Sequence, residues 1–285
     1  MKKTKMIPSM QIAYVENECP NSQSILFLHA LGEEKESYEE MLSFFTDCRC
    51  IAFDWPGHGE SGRSERWTLD AFTEVLKDVM DYLNVDKAWI VASSFSAWVA
   101  QTFTAKYPER VAGLILLDGG YYDPSPYHLL QIPFHTPPVF PDLQSLRQNA
   151  VEYAARIERL GVHVSEQVKA FIIRTRMHLY RYLAEENAFI PKTDQNAMAA
   201  LGEEINCGRF LFHHHHDIPT LLLLADLQET PAGAASLLQH MRLEAKKESR
   251  MDVKEIPNSY YLLMLTNPEE TSALIRAYLE EHRRL

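Results

Sequence analysis

The run AWIVASSFS at residues 88–96 places five apolar residues directly before three serines and one phenylalanine. A short apolar run that ends in small residues is typical of a strand buried on both faces. The residues that follow, Trp98–Lys106, are predicted to form a helix. The pattern therefore predicts a buried strand, a tight turn at Ser94 and a helix, in that order.

Similar apolar runs recur along the chain and are separated by amphipathic segments. They lie at 24–29, 50–54, 88–92, 111–117, 219–225 and 251–256. In 68–85 the apolar residues share one helical stripe, and Thr68 is a predicted N-cap. Parallel strands need crossover connections, which helices supply with a right-handed sense. We therefore predict an α/β fold with a doubly wound, mostly parallel sheet.

The alternation stops after Asp118 and returns at residue 219. A proline-rich stretch from Pro124 to Pro141 excludes regular helix there. Predicted helices follow at 143–160, 165–185 and 193–206. We predict a core domain formed by 1–120 and 218–285, which is interrupted by a helical cap or lid at 121–217. A last helix is predicted after Asn267 as N-cap, with Pro268 in the first helical position.

The 285-residue chain has a formal net charge of −11, which disfavours nucleic acid as a partner because like charges repel. Its 46% of hydrophobic residues suffice for one large core and an inserted unit. No apolar run approaches the roughly 18 residues of a membrane span, and no secretory signal is recognised. We expect a cytoplasmic protein without membrane contact and with reduced cysteines. The sequence leaves the oligomeric state open.

Three loops carry a more specific signal, because each follows one of the apolar runs. They are HALG at 29–32, DWPGHGES at 54–61 and ASSFS at 92–96. In order and spacing they resemble the oxyanion loop, a structural loop and the nucleophile elbow of the α/β-hydrolase superfamily. The resemblance covers about 24–120 and 218–285. It implies ester, amide or related acyl hydrolysis on a small-molecule substrate or ligand, without a cofactor or a metal.

The resemblance also implies roles for individual residues around the elbow. Ser94 falls on the nucleophile, and the backbone N–H groups of Leu31 and Phe95 fall on the two oxyanion donors. His29 belongs to the same oxyanion and binding loop. Small residues replace the two glycines that the family places around the serine, so the tight turn is expected to survive.

The acidic member of the triad has two possible positions in the family. Asp118 occupies the position after the strand that precedes the cap, and we favour it. Gln228 falls on the position after the strand that follows the cap, with Asp226 and Glu229 as neighbours. A carboxylate such as Asp118 at a strand end can equally hold the next turn by hydrogen bonds.

The position of the catalytic histidine departs from the family. The segment Ile256 to Glu269 aligns without a gap to the family's last strand and helix, and it places Tyr261 where the histidine stands. Tyrosine has a pKa near 10 and is a poor base at neutral pH. Histidines from elsewhere in the chain are weaker candidates for the base, namely His29, His128, His135, His163 and His178.

Two functions follow from this departure. In the first, the protein is a serine hydrolase through Ser94 whose activity is weak or atypical because Tyr261 replaces the histidine. In the second, it is a non-catalytic binder of small molecules, as in hormone receptors of the family that lost the histidine. Aromatic residues of the cap and its hinge are expected either to line the pocket or to form the core of the cap. The run His213 to His216 is interpreted as an exposed loop that binds metal only adventitiously.

Overall fold

The computed structural model describes residues 3–17, 19, 22–123, 137–207, 210–227, 239, 242–243, 245–247 and 251–282. Within them eight strands form the main sheet: β1 (Lys5–Ile7), β2 (Ile12–Glu16), β3 (Ser24–Leu28), β4 (Arg49–Phe53), β5 (Ala88–Ser93), β6 (Val111–Leu117), β9 (Thr220–Leu227) and β10 (Asp252–Tyr260). Their order across the sheet is β1-β2-β4-β3-β5-β6-β9-β10. Two further strands, β7 (Tyr180–Leu183) and β8 (Ala188–Pro191), pair with each other outside this sheet.

The predicted doubly wound, mostly parallel sheet is confirmed. Strands β3, β4, β5, β6, β9 and β10 pair in parallel, whereas β1 and β2 form an antiparallel edge that was not predicted. Strand β10 is the opposite edge and runs past Pro257, with a shift of register between Ile256 and Tyr260. Proline is tolerated there because an edge strand needs ladder hydrogen bonds on one side only.

Helices cover both faces of the sheet. Those bounded within the described residues include α1 (Glu39–Leu42), α2 (Leu69–Tyr82), α3 (Phe95–Lys106), α4 (Leu143–Arg159), α5 (Glu166–His178), α6 (Gln195–Cys207), a one-turn helix Leu263–Thr266 and a last helix Pro268–Glu281. The predicted N-cap of α2 is confirmed, since the Thr68 hydroxyl accepts from the backbone N–H of Ala71 at 3.2 Å. The last helix also begins at Pro268, but the Asn267 side chain donates to the Asn258 carbonyl and does not cap the helix.

The predicted helix over 165–185 is wrong beyond His178. The chain leaves α5 there and forms the antiparallel hairpin β7–β8, whose turn contains Asn187 at φ 49°. Asparagine tolerates this left-handed conformation better than most residues. Between β6 and β9 the described residues add no strand to the main sheet. The division into a core domain and a cap at 121–217 stays a prediction.

The core lies in two layers, one on each side of the sheet. Strand β5 is buried along its whole length, with Ile90 facing α2 and α3 and Val91 facing the layer that contains the last helix. This burial on both faces explains why its sequence is continuously apolar. No helix among the described residues combines the length and hydrophobicity that a membrane crossing requires.

Candidate active site

Ser94 occupies a strained turn between β5 and α3. Its backbone lies at φ 51° and ψ −120°, and its N–H donates to the Leu117 carbonyl at 2.9 Å. Its own carbonyl accepts from the Ala97 N–H at 2.9 Å, which starts α3. A non-glycine residue in a sparsely populated backbone region costs about 1–3 kcal/mol and must be held by its surroundings.

The neighbouring strand end provides the space that this turn needs. A Cβ atom added to Gly119 would lie 2.5 Å from the Ser94 carbonyl oxygen, and one on Gly120 would lie 2.8 Å from the Ala97 carbonyl. Both glycines therefore permit a close backbone approach that no other residue allows. Neither glycine was predicted to support the site, although the Gly-Gly pair after Asp118 was a visible signal.

Tyr261 lies against the candidate nucleophile. Its hydroxyl donates to the Ser94 hydroxyl oxygen over 2.5 Å, across 167 residues of sequence. Burial raises the pKa of the Tyr261 phenol above its usual value of 10, and the negative charges of Asp118 and Glu33 raise it further, against the opposing effect of the Ser94 hydrogen bond. The phenol therefore stays protonated at neutral pH and acts as a donor to Ser94.

His29 is buried and has both ring nitrogens engaged. Nδ1–H donates to the Ala30 carbonyl at 2.8 Å, and Nε2 accepts from the Trp55 N–H at 3.0 Å. Burial also lowers the pKa of His29 well below 6.5, and the nearby His58 ring lowers it further. A neutral imidazole with no free lone pair cannot take a proton from Ser94. His29 instead anchors the loop that leads to Leu31.

Ser96 connects this loop to the elbow, a role that was not predicted. Its fully buried hydroxyl accepts from Trp55 Nε1 at 2.8 Å and donates to the His29 carbonyl. Phe95 precedes it as the first residue of α3, so the Phe95 N–H has no acceptor inside the helix. That N–H is thus available in the position that the elbow resemblance implies.

The carboxylate of Asp118 contacts the next strand of the sheet. Both of its oxygens accept from the Ala225 N–H at 3.0 Å, and Arg242 approaches one of them at 3.4 Å. Asp118 therefore holds the end of β6 to β9. The exposed side chain of Asp226 accepts from the Asn258 N–H at 3.3 Å, while Gln228 and Glu229 lie outside the described residues.

Comparisons with known proteins bear on the fold. A family model described as "alpha/beta hydrolase fold" matches residues 23–156, which contain the segments 29–32 and 92–96. A crystal structure of E-2-(acetamidomethylene)succinate hydrolase superposes with a TM-score of 0.74 over 98% of this chain and 99% of that one, at 18% identity. The chain has the α/β-hydrolase fold.

Curated relatives of this α/β-hydrolase-fold protein match it over different lengths. Epoxide hydrolase 1 of Caenorhabditis elegans is 31% identical over 113 residues, which are 38% of this chain and 28% of that protein. The 2-succinyl-6-hydroxy-2,4-cyclohexadiene-1-carboxylate synthase of Enterobacter sp. (strain 638) is 22% identical over 251 residues, 80% of this chain and 95% of that one. The chain spans 28% and 39% of the first two relatives that it matches.

The other described histidines of this α/β-hydrolase-fold protein form no hydrogen bond with Ser94. His163 is exposed, His178 pairs with Glu34, and His128 and His135 lie outside the described residues. In the run that starts at His213, this first histidine is buried against Thr220 instead of being exposed.

The aromatic residues of the inserted segment and its hinge divide between two places. Tyr121 and Tyr122 contact each other with ring centroids 4.7 Å apart, and Trp98 Nε1 donates to the Tyr122 carbonyl beside α3. Phe140 packs on Tyr180 of the hairpin, 5.1 Å between centroids, and belongs to the packing of the inserted segment. Tyr127 and Phe134 lie outside the described residues.

Proposed function

We propose that this protein binds a small oxygen-bearing molecule beside Ser94, and that acyl hydrolysis through Ser94 persists only as a slow reaction. The hydrogen bond from Tyr261 to Ser94 carries the proposal. A serine hydroxyl becomes a strong nucleophile only when a base takes its proton. A protonated phenol supplies a proton instead of accepting one.

The expected loss of turnover is large. Removing the histidine from a working triad lowers turnover by about a millionfold. Oxyanion stabilisation and substrate binding alone still make the reaction roughly 10³ to 10⁴ times faster than in water. Tyrosine can serve as a base where cations lower its pKa. At Tyr261, burial and two carboxylates shift the pKa in the opposite direction. We therefore place the protein closer to a binder than to an efficient enzyme.

The donors around Ser94 indicate the class of ligand. The Tyr261 hydroxyl is a donor, and the family resemblance assigns the N–H groups of Leu31 and Phe95 to the two oxyanion donors. Such donors suit a carbonyl or carboxylate oxygen. Two of the similar proteins carry names with a carboxylate or a succinate, which supports a ligand with an acidic or ester group.

The strained geometry of the turn favours one second candidate, a true hydrolase. Ser94 has a backbone φ of 51°, and Gly119 leaves room for it. Strain of this kind costs stability and is concentrated at functional sites. In this second reading Tyr261 rotates away from Ser94 when substrate binds, and a base comes from another part of the chain.

The test compares wild type with three variants, Ser94→Ala, Tyr261→His and Tyr261→Phe. Labelling by a fluorophosphonate probe and hydrolysis of short p-nitrophenyl esters report the reactivity of Ser94. We expect slow wild-type reaction, none with Ser94→Ala, and at least 100-fold faster labelling with Tyr261→His, increasing between pH 5.5 and 7.5 as the new imidazole loses its proton. Tyr261→Phe should react no more slowly than wild type.

Ligand binding is measured separately, as the thermal stabilisation that short-chain carboxylic acids and their methyl esters produce. We expect Tyr261→Phe to lose part of this stabilisation, because the phenol donor is gone. Rapid wild-type turnover that both Ser94→Ala and Tyr261→Phe abolish would overturn the proposal, since the phenol would then be the base.

A further inference from the structure

The segment that follows the oxyanion loop is charged and yet buried. Residues 33–36 read EEKE, and their exposed fractions are 4%, 1%, 0% and 7%. Charged side chains are almost never buried unless they are paired. Glu33 and Glu34 pair with the segment between β6 and β9, through the end of α5 and Lys192 after β8. Lys35 pairs instead with Glu36, Asp54 and Glu60.

Three of these side chains converge on one point. Oxygens of Glu34 and Glu36 and Nδ1 of His178 all lie within 4.8 Å of one another. Both glutamates are buried, and His178 ends α5 and is partly exposed. Two carboxylates and one imidazole form a ligand set that divalent zinc and other first-row metals accept.

An independent observation points to a missing ligand at this point. Oε2 of Glu36 is buried and has no hydrogen-bond partner among the residues that the structure describes, although Oε1 of the same carboxylate pairs with Lys35 at 2.8 Å. The unpartnered oxygen faces His178 Nδ1 at 3.9 Å, which is too far for a hydrogen bond. An unsatisfied buried carboxylate oxygen is costly, and a bound cation would satisfy it.

His178 Nδ1 is also approached by two groups with opposite requirements. Glu34 contacts it and needs a hydrogen on the nitrogen, whereas the Lys192 ammonium lies 3.0 Å away and needs a lone pair. One nitrogen cannot meet both requirements. A metal bound to its lone pair, with the carboxylate of Glu34 as a second ligand, removes the conflict.

The charged side chains around these three residues carry an excess of negative charge. Five carboxylates and three permanent cations are linked by ion pairs, so two negative charges are in excess while His178 is neutral. The carboxylates belong to Glu33, Glu34, Glu36, Asp54 and Glu60, and the cations are Lys35, Arg176 and Lys192. A divalent ion supplies the two positive charges that the network lacks.

We propose that Glu34, Glu36 and His178 form a binding site for a divalent transition metal of the zinc type. The ion joins the loop that follows Leu31 to the end of α5, and so couples the oxyanion side of the candidate site to the inserted segment. Lys192 competes with the metal, because its ammonium pairs with Glu34 at 3.2 Å. Its side chain also lines an open groove between 57–63 and 190–196, into which it can move.

The test uses the full chain after treatment with EDTA. Zn²⁺ binding is followed by isothermal titration calorimetry, and Co²⁺ binding by visible absorption, which reports ligand geometry. His214 and His216 are exposed and are first replaced by alanine in every protein, which removes adventitious binding by the histidine run. We expect one ion per chain with a Kd in the micromolar range or below.

Variants on this background separate the proposal from its alternatives. Glu36→Gln and His178→Ala should each weaken binding at least 100-fold, and Glu40→Gln, a partly exposed carboxylate close by, should leave it unchanged. Lys192→Met should tighten binding at least fivefold, which a purely structural lysine would not do. No binding in the starting background, or binding that survives both Glu36→Gln and His178→Ala, would overturn the site. None of these readouts depends on the chemistry of Ser94.

Discussion

Replacing Ser96 by alanine tests whether the third serine of the elbow supports the oxyanion loop. In the folded chain its hydroxyl accepts from Trp55 Nε1 at 2.8 Å and donates to the His29 carbonyl. All three residues are fully buried, so water cannot replace the lost hydroxyl. Alanine fits the space that serine occupies, and the change therefore removes hydrogen bonds without adding volume.

The magnitude follows from the two hydrogen bonds. A buried indole N–H left without an acceptor costs about 1–3 kcal/mol, and the lost bond to the His29 carbonyl contributes roughly 0.5–1.5 kcal/mol. We expect Ser96→Ala to lower the free energy of unfolding by about 2–4 kcal/mol. Urea titrations followed by circular dichroism measure this difference as a shift of the midpoint at constant slope.

Thr104→Val on the same helix is the matched control. The Thr104 hydroxyl is equally buried but donates only to the Ala100 carbonyl, one turn earlier. That carbonyl also accepts the helix N–H of residue 104, so it stays hydrogen-bonded when the hydroxyl is removed. Removing it leaves no unsatisfied group, and we expect a cost below about 1 kcal/mol. If Ser96→Ala costs no more than Thr104→Val, the bridge between the elbow and the oxyanion loop does not stabilise the fold.

Three further perturbations have expected outcomes in urea unfolding. Gly119→Ala should destabilise the chain by about 1–3 kcal/mol, because the new methyl group would overlap the Ser94 carbonyl; an unchanged midpoint would show that the strand end can move. Lys35→Met should cost about 3–5 kcal/mol, since it leaves the buried Asp54 carboxylate uncompensated, and adding Asp54→Asn should recover part of the loss. The lowered pKa of His29 means that only the unfolded chain gains its proton near pH 6.5. His29 should therefore lower stability below pH 6.5 by about 1.4 kcal/mol per pH unit, and His58, whose pKa burial also lowers, adds to this slope. The raised pKa of His178 opposes it, so the profile is measured in His178→Ala, where a flat line down to pH 5 would contradict the buried neutral imidazole.

Several features of the fold could be read from local patterns alone. The apolar run before Ser94, the stripe of α2 and the Thr68 cap depend on residues close in sequence, and each lies where it was predicted. The β7–β8 hairpin was missed because its four-residue strands resemble the continuation of an amphipathic helix. Short strands carry too few alternations for the period to be distinguished.

The pairing of Ser94 with Tyr261 could be predicted from the sequence only in part. The resemblance predicts that Tyr261 falls on the family's histidine position, because the segment Ile256 to Glu269 aligns with the family pattern without a gap. The direction of the phenol and its raised pKa depend on burial and on Asp118, which comes from a different strand. Those electrostatic effects act through space and leave no local trace in the sequence.

The sequence by itself determined the order of the parallel strands of the main sheet and the absence of a histidine near the C-terminal strand, and it predicted an elbow at Ser94. Only the tertiary structure decided which side chains meet. It directs Asp118 to Ala225, joins Ser96 to Trp55 and His29, and buries Glu34 and Glu36 against His178, 142 to 144 residues away in the chain. Periodicity reports the burial of each residue along its own helix or strand, whereas hydrogen bonds and ion pairs between distant segments depend on how the whole chain packs.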